Sequence, residues 1–207
     1  MVIGICGGSG SGKTTILKRL AVDFQELRPS VFSMDNYYKP IQLQQQDEKG
    51  IVNFDLPTAL DREKLVKDFR QLVSGEAIDV VEYQFNVSKN RHVLITIEPS
   101  ELIIVEGIFV FEYEEIFKEL DYSIFIDVDL QVQLDRRLYR DQENRGYSRE
   151  DVLYQWNHHV KPCYAEYIAP HEQKADFIFH NDSRADHDYE LLLKNLKELM
   201  RERAIIS

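Results

Sequence analysis

Hydrophobic residues along this chain follow two periods in turn. Short apolar runs at residues 2–6, 30–34, 102–107, 122–128 and 175–179 predict five strands, and the unbroken runs near 103–105 and 124–126 suit a sheet covered on both faces. Between them the spacing shifts towards 3.6. Ile16, Leu17, Leu20, Ala21 and Phe24 form one helical face that should end near 26–28, before Pro29. Leu60, Leu65, Phe69 and Leu72 predict a helix over 59–72, ending by Gly75. Further helices are predicted over 111–118, over 131–145, from Ser148 past Trp156 and Val160 towards Pro162, and over 189–203, where Leu191, Leu192, Leu196, Leu199 and Met200 recur. Strand–helix alternation predicts an α/β fold with a mostly parallel five-stranded sheet flanked by helices, in a single domain over 1–207.

Two stretches break the alternation. Residues 78–97 read as two strands, with an alternating segment at Val80-Val81-Glu82-Tyr83-Gln84-Phe85 and a β-branched one at Val93-Leu94-Ile95-Thr96-Ile97. They predict a β-hairpin inserted on the main sheet, with Lys89 and Arg91 in its loop. Residues 41–57 lack periodicity and carry the patch Gln42, Gln44, Gln45 and Gln46. At their end Asn53-Phe54-Asp55-Leu56-Pro57 reads as an Asp-capped entry to the next helix, with Pro57 near its first turn.

The most informative stretch joins the first strand to the first helix. Gly7, Gly8, Ser9, Gly10, Ser11, Gly12, Lys13 and Thr14, followed by Thr15, fit G-x-x-x-x-G-K-[ST]. Glycines let the backbone approach a phosphate, successive N–H groups form an anion nest, and the helix start adds its positive end. Lys13 can reach β- and γ-phosphates, and the Thr14 hydroxyl can bind Mg²⁺. The strands' carboxyl ends form the crevice of an open α/β sheet. Asp35, just after the second strand, and Glu106, ending the apolar run at 102–105, should therefore stand beside this loop. Glu106 reads as an acid that holds Mg²⁺ directly or through water.

Composition adds constraints. The net charge is -11, with 43% apolar and 29% charged residues, which is ordinary for a globular protein and disfavours nucleic acid as a partner. Such a chain must gather positive charge locally to hold a triphosphate. Arg136, Arg137, Arg140 and Arg145 do so on one predicted helix, where 137, 141 and 145 share a face. A solvated face paired with Asp135, Asp141 and Glu143 is the equal alternative. Arg145-Gly146-Tyr147 makes a hinge, so residues 136–168 could form a helical lid. The two cysteines, Cys6 and Cys163, predict no structural disulfide, and no run is long enough to span a membrane. The expectation is a cytoplasmic protein. His158 and His159 lack metal-ligand spacing and read as surface or packing residues; Trp156, Tyr37 and Tyr38 read as packing first and substrate contacts second. The string at Asp47–Gly50 is the one D-x-x-G, and no guanine-reading N/T-K-x-D accompanies it, which ranks a GTPase-type switch low.

GGSGSGKTT at 7–15, MDNYYKP at 34–40, NFDLP at 53–57, YQF at 83–85, IIVEGI at 103–108, DRRLYRDQENRG at 135–146 and the series Trp156, Val160, Pro162, Tyr164 before ADFIF at 175–179 occur in order along nearly the whole chain. Together they resemble the uridine kinase family, within the P-loop nucleoside and phosphoribulokinase-type kinases. The resemblance implies a P-loop kinase using ATP and Mg²⁺ to phosphorylate the 5′-hydroxyl of uridine or cytidine. It implies that Lys13 and the loop hold ATP phosphates, that Thr14, Glu106 and Asp35 lie at the metal, and that Asp35 is the general base. Asp55 and Arg137 match positions on the ribose hydroxyls, Phe54, Tyr38 and Tyr83 line the acceptor pocket, Arg140 and Arg145 match lid arginines on the transferring phosphate, and Gln155 matches a sugar-site glutamine. It further implies a homo-oligomer. Leu56 and Ser88 stand where the family carries histidines, which keeps another nucleoside, pantothenate or a sugar phosphate open as acceptor.

Overall fold

The computed structural model describes residues 1–83 and 93–206. Five parallel strands form the main sheet in the order β2-β5-β1-β6-β7: β1 Val2–Gly7, β2 Ser30–Ser33, β5 Ile103–Glu106, β6 Tyr122–Asp127 and β7 Phe177–His180. Successive side chains leave opposite faces of a strand. Val2 and Cys6 of β1, Ile103 and Val105 of β5 and Phe125 of β6 enter one core layer with Phe32, Phe69, Phe109 and Tyr113. Ile3 and Ile5, Ile104, and Ile124 and Ile126 enter the other, against Leu20 of helix α1 (Lys13–Asp23) and Leu192, Leu196 and Met200 of helix α7 (Ala185–Glu202). Both faces are covered, which is why these strands read as unbroken apolar runs.

Helix α2 (Arg62–Val73) begins later than its apolar positions suggest. Pro57–Ala59 makes a separate tight turn, and Asp61, not Asp55, caps α2 by accepting from Lys64 N at 3.1 Å. Leu60 fits the helical apolar pattern because it is buried, yet its backbone is extended and pairs with Tyr38. The hairpin also differs from expectation. Strands β3 (Ile78–Val81) and β4 (Leu94–Ile97) pair antiparallel but form a two-stranded sheet of their own instead of joining the main one. The expected loop residues Lys89 and Arg91, and Ser88, lie outside the described residues. Helix α3 (Glu114–Phe117) is one turn, shorter than predicted.

Helix α4 (Leu130–Arg145) is capped by Asp129 and stopped by Gly146 at φ 70°. Ser148 caps α5 (Arg149–Gln155), accepting from Asp151 N. The helical path then runs on past Pro162, through wide turns at Trp156–Val160 and Tyr164–Ile168 that flank α6 (Lys161–Cys163) and a tight turn at Ala169–Lys174. Proline removes one ladder donor, and widened turns are how a helix accommodates such a local loss. Cys6 and Cys163 are both free thiols. Among the described residues no helix is long and apolar enough to cross a membrane.

Replacing Asp61 by Ala removes the cap of α2, and stability should fall by about 1 kcal/mol. Urea denaturation should show a lower midpoint with an unchanged slope.

Candidate active site

Strand register brings the chemistry together before any side chain is considered. Ile5 pairs with Glu106, Ser33 pairs with Glu106 from the other side, and Gly7 pairs with Ile126, so the carboxyl ends of β1, β2, β5 and β6 lie along one edge. The glycine loop leaves β1 at this edge and Asp35 leaves β2. One cavity there is lined by Ser9, Gly10, Gly12, Lys13 and Thr14, by Asp35 and Glu106, and by residues of α4 and α5.

The loop's shape depends on glycine where it meets α4. Gly10 has φ 82°, and a Cβ there would stand 2.6 Å from the backbone oxygen of Gln133. Gly12 has φ 102° and begins α1 without a side-chain cap. Lys13 Nζ donates to Gly7 O and Gly8 O, each at 3.0 Å, curling over the loop it belongs to. Arg136 packs against the loop and also lines the cavity, its Nη1 3.4 Å from Gly10 O and 3.3 Å from Ser11 O. Thr15 is exposed on α1, and neither it nor Gly7, Gly8 or Ser11 lines the cavity.

Two acids face each other across the edge. Ser33 Oγ donates to Glu106 Oε1 at 2.6 Å and fixes that carboxylate. Burial, together with the charge of Glu106, pushes the Asp35 carboxyl up to about 6, while Lys13, Arg145 and Arg140 pull the other way.

The arginines of α4 do not make a solvated face. Asp141 is 1% exposed, and its carboxylate meets three of them: Arg140 Nε at 2.8 Å, Arg145 Nη1 at 3.2 Å and Arg137 Nε at 3.2 Å, the last too poorly aligned for a hydrogen bond. Arg137 is 7% exposed and reaches furthest: Nη1 donates to Ser9 Oγ at 3.1 Å and lies 3.7 Å from Asp55 Oδ1, while Nη2 donates to Gln155 Oε1 at 3.0 Å. The arginines therefore line a cavity, and of the solvated-face alternative only the pairing with Asp141 remains, buried instead of solvated. Asp141 was legible in sequence only as a surface partner.

Aromatic residues close one side. The Tyr38 ring lies 5.7 Å from Phe54, edge-on, and 5.0 Å from Tyr83. Tyr83 stands behind Tyr38 and does not line the cavity; its N–H donates to Asn36 Oδ1 at 3.0 Å. Tyr37 and Trp156 are buried in packing. His159 is buried, in keeping with the packing role that spacing offered, and it also lines the cavity, which spacing did not indicate.

A family model described as Phosphoribulokinase / Uridine kinase family matches residues 2–199. The chain belongs to this family. It is 30% identical to the uridine kinase of Halalkalibacterium halodurans over 206 residues, covering 100% of this chain and 98% of that one. The uridine kinase of Clostridium tetani is 33% identical over 98% of this chain and 97% of its own. Uridine-cytidine kinase A of Dictyostelium discoideum is 35% identical over 98% of this chain, which corresponds to 40% of that longer protein. Solved structures share the fold: the phosphoribulokinase from Rhodobacter spheroides at TM-score 0.65 and 17% identity, over 86% of this chain and 69% of that one, and a possible uridine kinase from Bacillus stearothermophilus at TM-score 0.59 and 20% identity, over 86% and 88%. The chain is thus a kinase, a transferase with a hydroxyl acceptor, and membership of this family implies ATP as its phosphate donor.

Replacing Asp141 by Asn keeps its shape and removes the charge that balances Arg137, Arg140 and Arg145. Stability should drop by about 3 kcal/mol, the lower end for breaking a buried pair because Arg140 and Arg145 keep some solvent. Chemical denaturation of the two proteins checks this.

Proposed function

We propose that the chain is an ATP- and Mg²⁺-dependent kinase that phosphorylates the 5′-hydroxyl of a pyrimidine nucleoside, uridine or cytidine. The observation that carries the reading is continuity. Lys13 and Asp35 line the same cavity as the linked Asp55, Arg137 and Gln155, so a phosphate site and a polar sugar-sized site share one space. The curated relatives named uridine kinase over nearly their full length supply the acceptor class.

The donor set at the sheet edge fits magnesium. Thr14, Asp35 and Glu106 offer only oxygen, as a hard cation requires. Among the described residues no cluster of three or more His, Cys, Asp or Glu could form a metal cage, and Mg²⁺ commonly relies on few protein oxygens and on substrate phosphates. When bound, it supplies charge neutralisation on the phosphate oxygens.

The chain's own residues do the rest. The glycine loop's N–H groups and Lys13 hold the donor phosphates once Lys13 leaves Gly7 O and Gly8 O. Asp55, Arg137 and Gln155 hold the sugar so that its 5′-oxygen meets the terminal phosphorus. Asp35 takes the hydroxyl proton as the new O–P bond forms and the bond to the ADP leaving group breaks. A carboxyl raised to about 6 is suited to that transfer near neutral pH. Arg140 and Arg145, steadied by Asp141, stabilise charge on the moving phosphoryl group. The α4–α5 pair then acts as a lid hinged at Gly146.

Asp35→Asn should lower kcat by roughly 10²–10⁴-fold while ATP binding persists. Steady-state kinetics with a nucleotide titration would measure both, and near-normal turnover would remove Asp35 as the base. An ADP-release screen over nucleosides, pantothenate and sugar phosphates should give turnover with uridine or cytidine; turnover only with another alcohol would overturn the acceptor.

A further inference from the structure

Two sequence features stand outside this machinery: the Asp47–Gly50 string and the adjacent pair His158 and His159. The fold joins them. Asp47 first shapes its own turn. Its Oδ1 accepts from Lys49 N and Ile51 N, each at 2.9 Å, and Gly50 closes the turn at φ 75°. Its other oxygen leaves the loop. Asp47 Oδ2 lies 2.8 Å from His159 Nε2 and accepts from Tyr154 OH at 2.9 Å, and Lys49 Nζ sits 4.3 Å over the Tyr154 ring. The aperiodic loop at 41–57 is thereby fastened to the helix after α5.

His159 is 2% exposed and lines the cavity that holds Asp35 and Asp55. It follows Gln155 by four residues, about one turn along the same helical path. Gln155 already bonds Arg137, which bonds Ser9 of the phosphate loop. The cavity wall therefore passes from the loop, through Arg137 and Gln155, to His159. At Asp47 burial acts to raise the pKa, but hydrogen bonds from the Ile51 amide, His159, Tyr154 and the Lys49 amide outweigh it and hold the carboxyl well below its usual range. A carboxylate has no proton to give, so the shared proton belongs to Nε2. In the neutral ring that tautomer leaves a lone pair on Nδ1, and Nδ1 has no partner among the described residues. Nδ1 is not among the sealed, unpartnered side-chain atoms of the described residues, so on a residue that lines the cavity it is placed to accept from a ligand.

We propose that His159, oriented by Asp47 and Tyr154, reads the base of the acceptor by accepting a hydrogen bond from a ring N–H or an exocyclic amino group. This rests on the pyrimidine-nucleoside reading above and names a residue that sets its specificity. Uracil presents N3–H and cytosine its 4-amino group on the same base edge, so one imidazole lone pair serves both. The chain thus carries an imidazole at the acceptor although Leu56 and Ser88 occupy the positions where the family has histidines. Asp47 is a positioning residue: it fixes the tautomer and does not touch the substrate.

The test compares uridine with N3-methyluridine, which lacks the donor, in the full-length wild type and in His159→Phe, His159→Gln and Asp47→Ala. Wild-type kcat/KM should favour uridine, and His159→Phe should shrink that preference by about 10- to 100-fold, the worth of a lost specific hydrogen bond. The loss should fall on KM for uridine, with KM for ATP close to wild type. Phe is larger than His, so relief of a clash with the methyl group cannot produce that result. His159→Gln keeps an acceptor oxygen and should retain part of the preference; should His159→Phe fold poorly, His159→Gln against Asp47→Ala gives the same comparison. Asp47→Ala should move the preference in the same direction by a smaller factor. A wild type active on uridine whose preference survives unchanged in these variants would overturn the role of His159 and leave the proposed function standing. A wild type inactive on both uridine and cytidine would overturn the proposed function, and this inference with it.

Discussion

Parallel pairing is the constraint on which this molecule rests. Because β1, β2, β5 and β6 all run the same way, their carboxyl ends fall along one edge, and whatever follows each strand meets there. The glycine loop, Asp35 and Glu106 are close in space for that reason alone. No contact between their side chains is needed to bring them together. What local contacts do is refine the arrangement. Ser33, the last residue of β2, turns the Glu106 carboxylate with a hydrogen bond, and Gln133 of α4 sits so close to Gly10 that only a bare backbone fits.

The second constraint is electrostatic. A chain of net charge -11 has to hold several guanidinium groups at one site without their mutual repulsion opening it. Placing Arg137, Arg140 and Arg145 on one helix puts them near one another; burying Asp141 among them supplies the compensating charge. The same carboxylate fixes where the three side chains begin, so their outer nitrogens can be spent on Ser9, Asp55, Gln155 and ligand. Helix, sheet edge and loop are in this way tied through Arg137, which touches Ser9, Asp55 and Gln155, one from each of three other stretches of sequence.

The sequence by itself determined the strands, the order of the motifs and the phosphate loop. These rest on local physics: unbroken apolar runs mark doubly covered strands, and a loop that approaches phosphate requires glycine at fixed spacing. Signals tied to burial rather than backbone were weaker. Leu60 is apolar because it packs, not because it is helical, and so it pulled the start of α2 forward past the real cap at Asp61. Hairpin strands β3 and β4 were readable, but whether they joined the main sheet depended on partners remote in sequence.

Tertiary structure alone decided what Asp47 and His159 do. Asp141 pairs with arginines on its own helix, at a spacing legible in sequence, and folding adds its burial; His159 and Asp47 are 112 positions apart and meet only in the folded chain. Spacing along the chain carries no record of such pairs, because a polar side chain is stable equally well in water and opposite a matching group. Burial removes the first option, and only the folded chain says which residues are buried together.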